Sequence, residues 1–244
     1  MHALEITDLD KVYDDGTRAL DGLSLTVRDG GFHGLLGPNG SGKSTLIGIV
    51  TGLVRGPVGH VHVFGHDAVA DPRRARTLMG LAPQEVHLDR FLSARQVLSF
   101  HGRYFGMPTA EANARADELL AAFDLEDKAA TRPNRLSGGM RRRLLIARTL
   151  VHHPRLAILD EPTAGVDLEL RHDLWTYLTR LREEQRTSIL LTTHYLEEAE
   201  ALCDTISMIR DGRIVAEGTV PEIIERFGGP RLEDAYLRVM RGAA

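Results

Sequence analysis

One stretch of eight residues has the types and the spacing to hold a chain of phosphates. It reads Gly37-Pro38-Asn39-Gly40-Ser41-Gly42-Lys43-Ser44, which is the pattern G-x-x-x-x-G-K-[ST]. The glycines let backbone N–H groups converge on an anion without a Cβ in the way, and a helix that begins behind the loop adds partial positive charge. Lys43 can reach the β- and γ-phosphates, and the Ser44 hydroxyl is a ligand for Mg²⁺. The stretch therefore predicts a nucleoside triphosphate site.

The surroundings of this loop support the prediction. An apolar run, Phe32 to Leu36, leads into the loop, and a longer apolar stretch, Thr45 to Val54, follows it. This is the strand–loop–helix context that the motif requires. The alternative, a glycine-rich turn with a surface lysine, leaves eight fixed positions in that context unexplained.

A second chemical feature is a pair of adjacent carboxylates. Asp160 and Glu161 follow Leu156-Ala157-Ile158-Leu159, a continuous apolar run that is typical of a strand buried on both faces. Open α/β sheets place their ligands at the carboxyl ends of strands. One carboxylate facing Mg²⁺ and the other facing water would suit phosphoryl transfer. The structural alternative is that one of the two caps a helix.

Two more polar residues are predicted at strand ends. Gln84 follows the apolar run Thr77 to Ala82, and His194 follows Ser188 to Thr192. A lone histidine is usually structural, but one at the end of a core strand is equally a candidate ligand-binding group. His60 and His62 share a strand face and could bind a metal, although a solvated strand face explains them better because no further ligands cluster nearby.

A third stretch resembles a second anion site. Leu136-Ser137-Gly138-Gly139-Met140 precedes a helical run to Val151, with Ser137 as the expected N-cap, so that backbone donors point outward. Arg141, Arg142 and Arg143 follow in the first turn, where positive charge opposes the helix dipole. A solvated basic face is the default interpretation of these arginines.

The elements that would position these residues indicate an α/β fold. Near two-residue alternation in the first 27 residues predicts an N-terminal antiparallel β layer that contains Tyr13, which could stack on a flat ligand or pack on the sheet. From Phe91 to Leu136 the pattern becomes helical, with a capping box at Ser93. We assign its apolar stripe to the core of a helical lobe, with partner contact as the lesser alternative; the stripe includes Val97, Phe100, Tyr104 and Phe105. Asp211-Gly212 predicts a hairpin, and terminal helices follow over 221–227 and 232–240.

Composition narrows the functional class. The chain has 244 residues, a net charge of -4 and no long basic tract, so the electrostatic case for nucleic acid binding is weak. The single cysteine, Cys203, cannot form an internal disulfide, which suits a reducing cytoplasm. No stretch reaches the 18 apolar residues that a membrane span needs, and the N-terminus lacks a signal-peptide pattern. Work at a membrane would therefore require another chain to provide the crossing.

The order of these features resembles the nucleotide-binding subunit of an ATP-binding cassette (ABC) transporter. The likeness covers essentially the whole chain and rests on the phosphate loop, Gln84, the helical insert, the segment 136–140, Asp160-Glu161 and His194. The segments 136–145, 164–167 and 192–200 look most like the bacterial ABC-2-type exporter branch. The implied fold is a P-loop NTPase core with a mixed, mostly parallel sheet, an antiparallel β layer and an inserted helical subdomain.

The resemblance implies a role for each matching residue. Glu161 matches the general base, Asp160 the residue that holds Mg²⁺ through its water shell, and His194 the contact to the γ-phosphate. Gln84 matches a residue that touches Mg²⁺ and relays nucleotide state, and Asp167 lies near a dimer seam. The implied nucleotide contacts are Tyr13, which stacks on adenine, then Gly37, Pro38, Asn39, Gly40, Ser41, Gly42, Lys43, Ser44 and Thr45, and, from a second copy, Ser137, Gly138 and Gly139.

The resemblance also implies partners and a domain plan. We expect ATP and Mg²⁺ as cofactors, a second ATPase subunit in a homodimer, and ABC-2-type permease subunits that hold the chain on the cytoplasmic face of the inner or plasma membrane. The expected division is a core over 1–84 and 154–220, a helical subdomain over 85–153 and C-terminal helices over 221–244. The sequence departs from the family pattern at Met140, where many members carry glutamine. Because the serine and glycine positions are intact, this difference affects only the details of the dimer seam.

Two rival functions remain at this point. The first is a soluble ABC ATPase that acts on ribosomes or DNA, although such proteins usually carry two cassettes or a long coiled-coil insertion, and neither is present. The second is a nucleotide-binding module that does not hydrolyse, which Glu161 and His194 disfavour.

Overall fold

The computed structural model describes residues 1–164 and 168–242. Asp167, predicted at a dimer seam, lies outside these residues. The described chain is built from two sheets and flanking helices, so the predicted α/β class is confirmed. Among the described helices, none combines the length and the apolar character needed to cross a bilayer.

The N-terminal β layer is a four-stranded antiparallel sheet in the order β2-β1-β4-β5. Its strands are β1 (His2–Val12), β2 (Arg18–Arg28), β4 (Val61–Val63) and β5 (His66–Asp67). The alternating apolar side chains of β1 and β2 face inward, and the phase shift between Ile6 and Leu9 coincides with a positive φ of 48° at Asp8. The antiparallel layer predicted from the sequence is therefore confirmed.

The central sheet has six strands in the order β10-β9-β3-β8-β7-β6. They are β3 (Phe32–Leu36), β6 (Met79–Ala82), β7 (Leu156–Asp160), β8 (Ser188–Thr193), β9 (Thr205–Arg210) and β10 (Arg213–Gly218). Five of these strands, β3 and β6 to β9, run parallel to one another, and β10 runs antiparallel to β9. Asp211 and Gly212, with φ of 50° and 76°, form the predicted hairpin turn.

Nine helices are described, and they lie around the two sheets. They are α1 (Lys43–Thr51), α2 (Pro72–Leu78), α3 (Ala94–Tyr104), α4 (Thr109–Ala122), α5 (Gly138–Leu150), α6 (Leu168–Gln185), α7 (Leu196–Leu202), α8 (Val220–Phe227) and α9 (Leu232–Arg241). The capping box that starts α3 at Ser93 is present, as predicted. Helix α2 is a correction, because Thr77 and Leu78 belong to it rather than to the following strand.

The helical segment shares a hydrophobic core with the central sheet. Leu98 of α3, Leu119 of α4 and Leu145 of α5 lie in the same buried cluster as Leu159 and Ile189 of the strands. The division into core and helical subdomain therefore describes chain segments, and its boundaries stay a prediction.

The apolar stripe of α3 corrects a second expectation. The predicted lobe core includes Phe100 and Tyr104, but their exposed fractions are 47% and 80%. Phe91, just before the helix, is 67% exposed. The buried face of α3 comes instead from residues such as Val97 and Leu98, so the aromatic residues of the stripe are not all part of the core.

Parallel register brings the ends of four strands together. Leu36 of β3 pairs with Thr193 of β8, Asp160 of β7 pairs with Thr192, and Ala82 of β6 pairs with Leu159. The segments that follow these strands carry the phosphate loop, His194, Glu161 and Gln84, so all four lie at one edge of the sheet, where α/β proteins place ligands.

Candidate functional site

The phosphate loop joins β3 to α1 in a conformation that depends on its glycines. Gly40 and Gly42 have φ of 80° and 110°. A Cβ on Gly42 would lie 2.5 Å from the carbonyl oxygen of Ala19, and one on Gly37 would collide with the carbonyl oxygen of Ile209. Neighbouring backbone therefore fixes the loop in shape, and the loop leads directly into the first turn of α1.

The ammonium group of Lys43 lies inside this loop. Its Nζ donates hydrogen bonds to the carbonyl oxygens of Gly37, at 2.7 Å, and Pro38, at 3.0 Å. Burial lowers the pKa of Lys43, and the carboxylates of Glu161 and Asp160 oppose that shift. The Ser41 hydroxyl is buried without a hydrogen-bond partner among the described residues. The loop thus presents a cation and a spare polar group, which suits an anionic ligand.

The two carboxylates after the apolar strand are both buried, at 9% exposed for Asp160 and 7% for Glu161. Oδ1 of Asp160 accepts a hydrogen bond of 2.5 Å from the Thr192 hydroxyl. The backbone N–H of Glu161 donates to both the hydroxyl and the carbonyl oxygen of Thr192. Both carboxylates thus belong to a strand-end network and not to a helix cap, the alternative considered above.

Glu161 adopts an unusual backbone conformation. Its φ is +47°, a left-handed value that costs about 1–3 kcal/mol for a residue other than glycine and that clusters at functional sites. Oε2 of Glu161 accepts a hydrogen bond of 3.0 Å from Nε2 of Gln84 and lies 3.3 Å from Nδ1 of His194. The structure thus brings three of the predicted site residues together around one carboxylate oxygen.

A cleft of about 260 Å³ opens beside the phosphate loop. Its lining residues are Tyr13, Thr17, Arg18, Ala19, Asn39, Gly40, Gly42, Lys43, Ser44, Thr45, Gln84 and Glu161. The Tyr13 hydroxyl lies 3.1 Å from Oγ1 of Thr45, and its ring is part of the cleft wall. Sequence reasoning missed residues 17–19, which carry no motif and reach the site only because β2 begins against the loop.

The residues proposed for Mg²⁺ have a donor set that suits this ion. Ser44 offers a hydroxyl, Gln84 an amide oxygen and Asp160 a carboxylate, all at the same edge of the sheet. Among the described residues, no cluster of three or more His, Cys, Asp or Glu side chains could by itself hold a metal. Mg²⁺ favours such sparse sites because it keeps water and phosphate oxygens as its other ligands. The His60–His62 metal alternative is not supported, since His60 Nδ1 contacts the carbonyl oxygens of Thr7 and Asp8.

The start of α5 is not part of the wall of the cleft in its own chain. Ser137 is the predicted N-cap, with its Oγ accepting a 3.2 Å hydrogen bond from the Met140 N–H. Ser137 and Gly138 are exposed, and a Cβ on Gly138 would meet nothing within 4 Å. Packing among the described residues therefore does not require glycine at position 138. A close approach from outside would explain it.

Arg142 corrects the expectation of a solvated basic face. Its side chain is 5% exposed and lies beneath the site, whereas Arg141 is exposed and Arg143 contacts the Phe123 carbonyl oxygen and Asp124. Arg142 is in helical phase with the buried positions 145, 146 and 149. This helical spacing is the sequence feature that could have predicted that Arg142 is buried.

The sequence of this chain is similar to those of known proteins of one family. A sequence profile of the ABC transporter family matches residues 20–164. The chain is 44% identical to the daunorubicin resistance ATP-binding protein DrrA3 of Streptomyces coeruleorubidus, over 97% of this chain and 74% of that protein. It is 39% identical to the Nod factor export ATP-binding protein I of Rhizobium etli, with the same shares covered.

Solved structures agree with these sequence matches. The fold is similar to an ATP-binding subunit of an ABC transporter, with a TM-score of 0.87 and 30% identity over 97% of this chain and 99% of that one. It is also similar to MJ0796, a bacterial ABC transporter cassette solved as a dimer in a post-hydrolysis state with ADP and Pi. That TM-score is 0.81, at 28% identity over 88% of this chain and 98% of that one.

The position of Lys43 leads to a prediction for Lys43→Ala. The dissociation constant for ATP should rise about 10- to 100-fold, because a charge-assisted hydrogen bond contributes about 1.5–3 kcal/mol. Isothermal titration with a non-hydrolysable ATP analogue measures this change. Lys128→Ala, which alters a lysine outside the cleft, serves as the matched control. Unchanged affinity in Lys43→Ala would contradict the role of the loop.

Proposed function

Because the chain belongs to the ABC transporter family as an ATP-binding subunit with ATPase activity, we propose that two copies close around ATP and energise export through a separate membrane permease. The observation that carries this proposal is that the phosphate loop and the buried Glu161 line one cleft, whereas Ser137 and Gly138 at the start of α5 are exposed and are not among its lining residues. The cleft of one chain would then be half of a closed site.

Glu161 is the general base in this proposal. It is held by the Gln84 amide at 3.0 Å, and its backbone is fixed by two hydrogen bonds to Thr192. A carboxylate in this position accepts a proton from water as the water attacks the γ-phosphate. Ser44, Gln84 and Asp160 would hold Mg²⁺, which when bound neutralises charge on the phosphate oxygens.

The remaining cleft residues bind and orient the nucleotide. Lys43 and His194 contact the γ-phosphate, since the first lies within the loop and the second lies against Glu161. Tyr13, at the cleft wall, stacks on adenine. These contacts position ATP against the base, and positioning of this kind provides much of the rate enhancement in phosphoryl transfer.

The second half of each site comes from the partner copy. Ser137, Gly138 and Gly139 at the start of α5 present backbone N–H groups at a helix N-terminus, which favours an anion. In a head-to-tail dimer they cap the ATP that the other copy binds, with Asp167 near the seam. This arrangement would explain why Gly138 is exposed, with no described residue packed where its Cβ would lie.

The membrane partner is an ABC-2-type permease, and it docks on the helical segment 85–153. The exposed residues Phe91, Phe100 and Tyr104 lie in this segment and are the aromatic face of this proposal. Gln84, which contacts Glu161, lies just before the segment. Movement of Gln84 with nucleotide state would therefore reach this face. The chain would act at the cytoplasmic face of the inner or plasma membrane.

The alternative of a soluble ABC ATPase on ribosomes or DNA has less support. The names of similar proteins given above refer to drug resistance and to Nod factor export. The net charge of -4 also disfavours a phosphate-backbone partner.

The first prediction from this proposed function concerns Glu161→Gln. Turnover should fall by about 10²- to 10⁴-fold, as expected for loss of a general base, while ATP still binds and the ATP-bound dimer accumulates. Phosphate release and size-exclusion chromatography with ATP measure the two effects. Glu197→Gln, a nearby exposed carboxylate, should hydrolyse normally. Near-normal turnover in Glu161→Gln would contradict the assignment.

The second prediction tests whether the α5 cap acts across the dimer. Gly138→Asp should fold normally, because the site is open and a carboxylate is favourable at a helix N-terminus. Its negative charge should nevertheless prevent closure on ATP. Lys43→Ala and Gly138→Asp should each be inactive alone.

A mixture of these two variants should regain turnover. A mixed dimer contains one site with an intact loop from the Gly138→Asp copy and an intact cap from the Lys43→Ala copy. If cap and loop acted within one chain, both sites of the mixed dimer would stay defective. Mixed dimers, isolated with two affinity tags, that show no turnover would contradict the cap assignment.

The third prediction concerns the aromatic face. Phe100→Ser combined with Tyr104→Ser should reduce co-sedimentation with membranes that contain the cognate permease, without changing the ATPase rate of the isolated subunit. Val58→Ser, also an exposed apolar residue at 64%, is the matched control. Unchanged membrane association in the double variant would contradict docking at this face.

A further inference from the structure

The guanidinium group of Arg142 is buried beneath the candidate site, and every one of its N–H groups is used. A guanidinium has five N–H donors in a rigid planar fork. Nε donates to the Pro162 carbonyl oxygen at 2.7 Å. The remaining acceptors are the carbonyl oxygens of Pro83, Gln84, Asp160 and Glu161.

These acceptors belong to two different loops. Pro83 and Gln84 follow β6, whereas Asp160, Glu161 and Pro162 form the end of β7 and the turn after it. The same two loops meet above Arg142 through the hydrogen bond from the Gln84 amide to Glu161. Arg142 thus fixes the spacing of the backbones whose side chains must meet.

Charge also favours an arginine in this position. Burial lowers the pKa of Arg142, and the carboxylates of Asp160, Glu198 and Glu161 oppose that shift, so the guanidinium lies among three acidic side chains. Glu198 is itself buried and accepts hydrogen bonds from Thr163 and Trp175. Lysine could supply the charge, but its three donors on a flexible stem cannot reproduce five fixed hydrogen bonds.

We propose that Arg142 is a positioning residue for ATP hydrolysis, which holds the loops of Gln84 and Glu161 in register within its own chain. The proposal rests on the proposed role of Glu161 as the general base. Arg142 is not among the residues that line the nucleotide cleft. Its loss should therefore affect the chemical step far more than nucleotide capture.

Arg142→Lys separates these two effects. We expect kcat to fall about 10²-fold, the cost of displacing catalytic groups by about 1 Å, with KM for ATP changed less than about threefold. Arg141→Lys and Arg143→Lys, its neighbours on the same helix, should keep normal kcat because neither side chain contacts the two loops. Trp175 fluorescence and thermal melting verify the fold, since Trp175 donates to Glu198 near Arg142.

A double-mutant cycle tests whether Arg142 acts through Glu161. In single-turnover experiments, adding Arg142→Lys to Glu161→Gln should lower the rate by less than about threefold further, because residues that act as a unit are not additive. A merely structural role would lower the rate by the same factor in both backgrounds. Equal factors would overturn the proposal.

The mixed dimer also tests whether Arg142 acts on the Glu161 of its own copy. Its single intact site takes Glu161 from the Gly138→Asp copy, so Arg142→Lys in that copy should lower turnover about 10²-fold. The same change in the Lys43→Ala copy should have little effect. Equal losses from either copy would indicate a role in the dimer as a whole and would overturn the proposal.

The outcomes distinguish this proposal from the proposed function. Normal turnover in Glu161→Gln would reject the general base and with it both proposals. A large loss in Glu161→Gln with normal kcat in Arg142→Lys would reject only the role of Arg142. If Arg142→Lys does not fold, Arg142→Gln is tested by the same criteria, and failure of both variants to fold would overturn the proposal in favour of a purely structural arginine.

Discussion

The burial of two adjacent carboxylates at the end of β7 is the constraint on which the site depends. An ionised carboxylate away from water is costly unless hydrogen bonds and opposite charges compensate it. Thr192 and Gln84 supply hydrogen bonds to Asp160 and Glu161. Lys43 from one side and Arg142 from another supply the positive charge. The phosphate loop and α5 therefore belong to one electrostatic unit with the acidic strand end.

The central sheet makes this unit possible because its strands are parallel and in register. Chain segments far apart in sequence end at the same edge, and the segments that follow β3, β6, β7 and β8 each contribute polar residues to the site. An antiparallel arrangement would have sent alternate ends to the opposite edge. At Glu161 the backbone is left-handed, and the side chain contacts Gln84 and His194. The sheet topology thus brings the strand ends together, and the local backbone conformation orients the carboxylate.

Much of this arrangement could be predicted from the sequence, because buried strands appear as apolar runs and the residue after each run is then identified. What could not be predicted depended on tertiary packing. A run of three arginines does not show which of them faces inward until the phase of α5 against the sheet is known, and Arg142 was misassigned for that reason. Phe100 and Tyr104 have helical spacing whether their face is buried or open, so the pattern could not show that they are exposed.

In the proposals made above, helix α5 would have two functions, and its rigidity would couple them. Its first turn presents exposed glycine to the outside, and its second turn holds the backbone of the catalytic loops through Arg142. A helix rotates as a body, because each turn is bonded to the next. Engagement of the first turn by a partner's nucleotide would therefore move the groups that hold Gln84 and Glu161 in the same chain. One element would thus connect two ATP sites that share no residue.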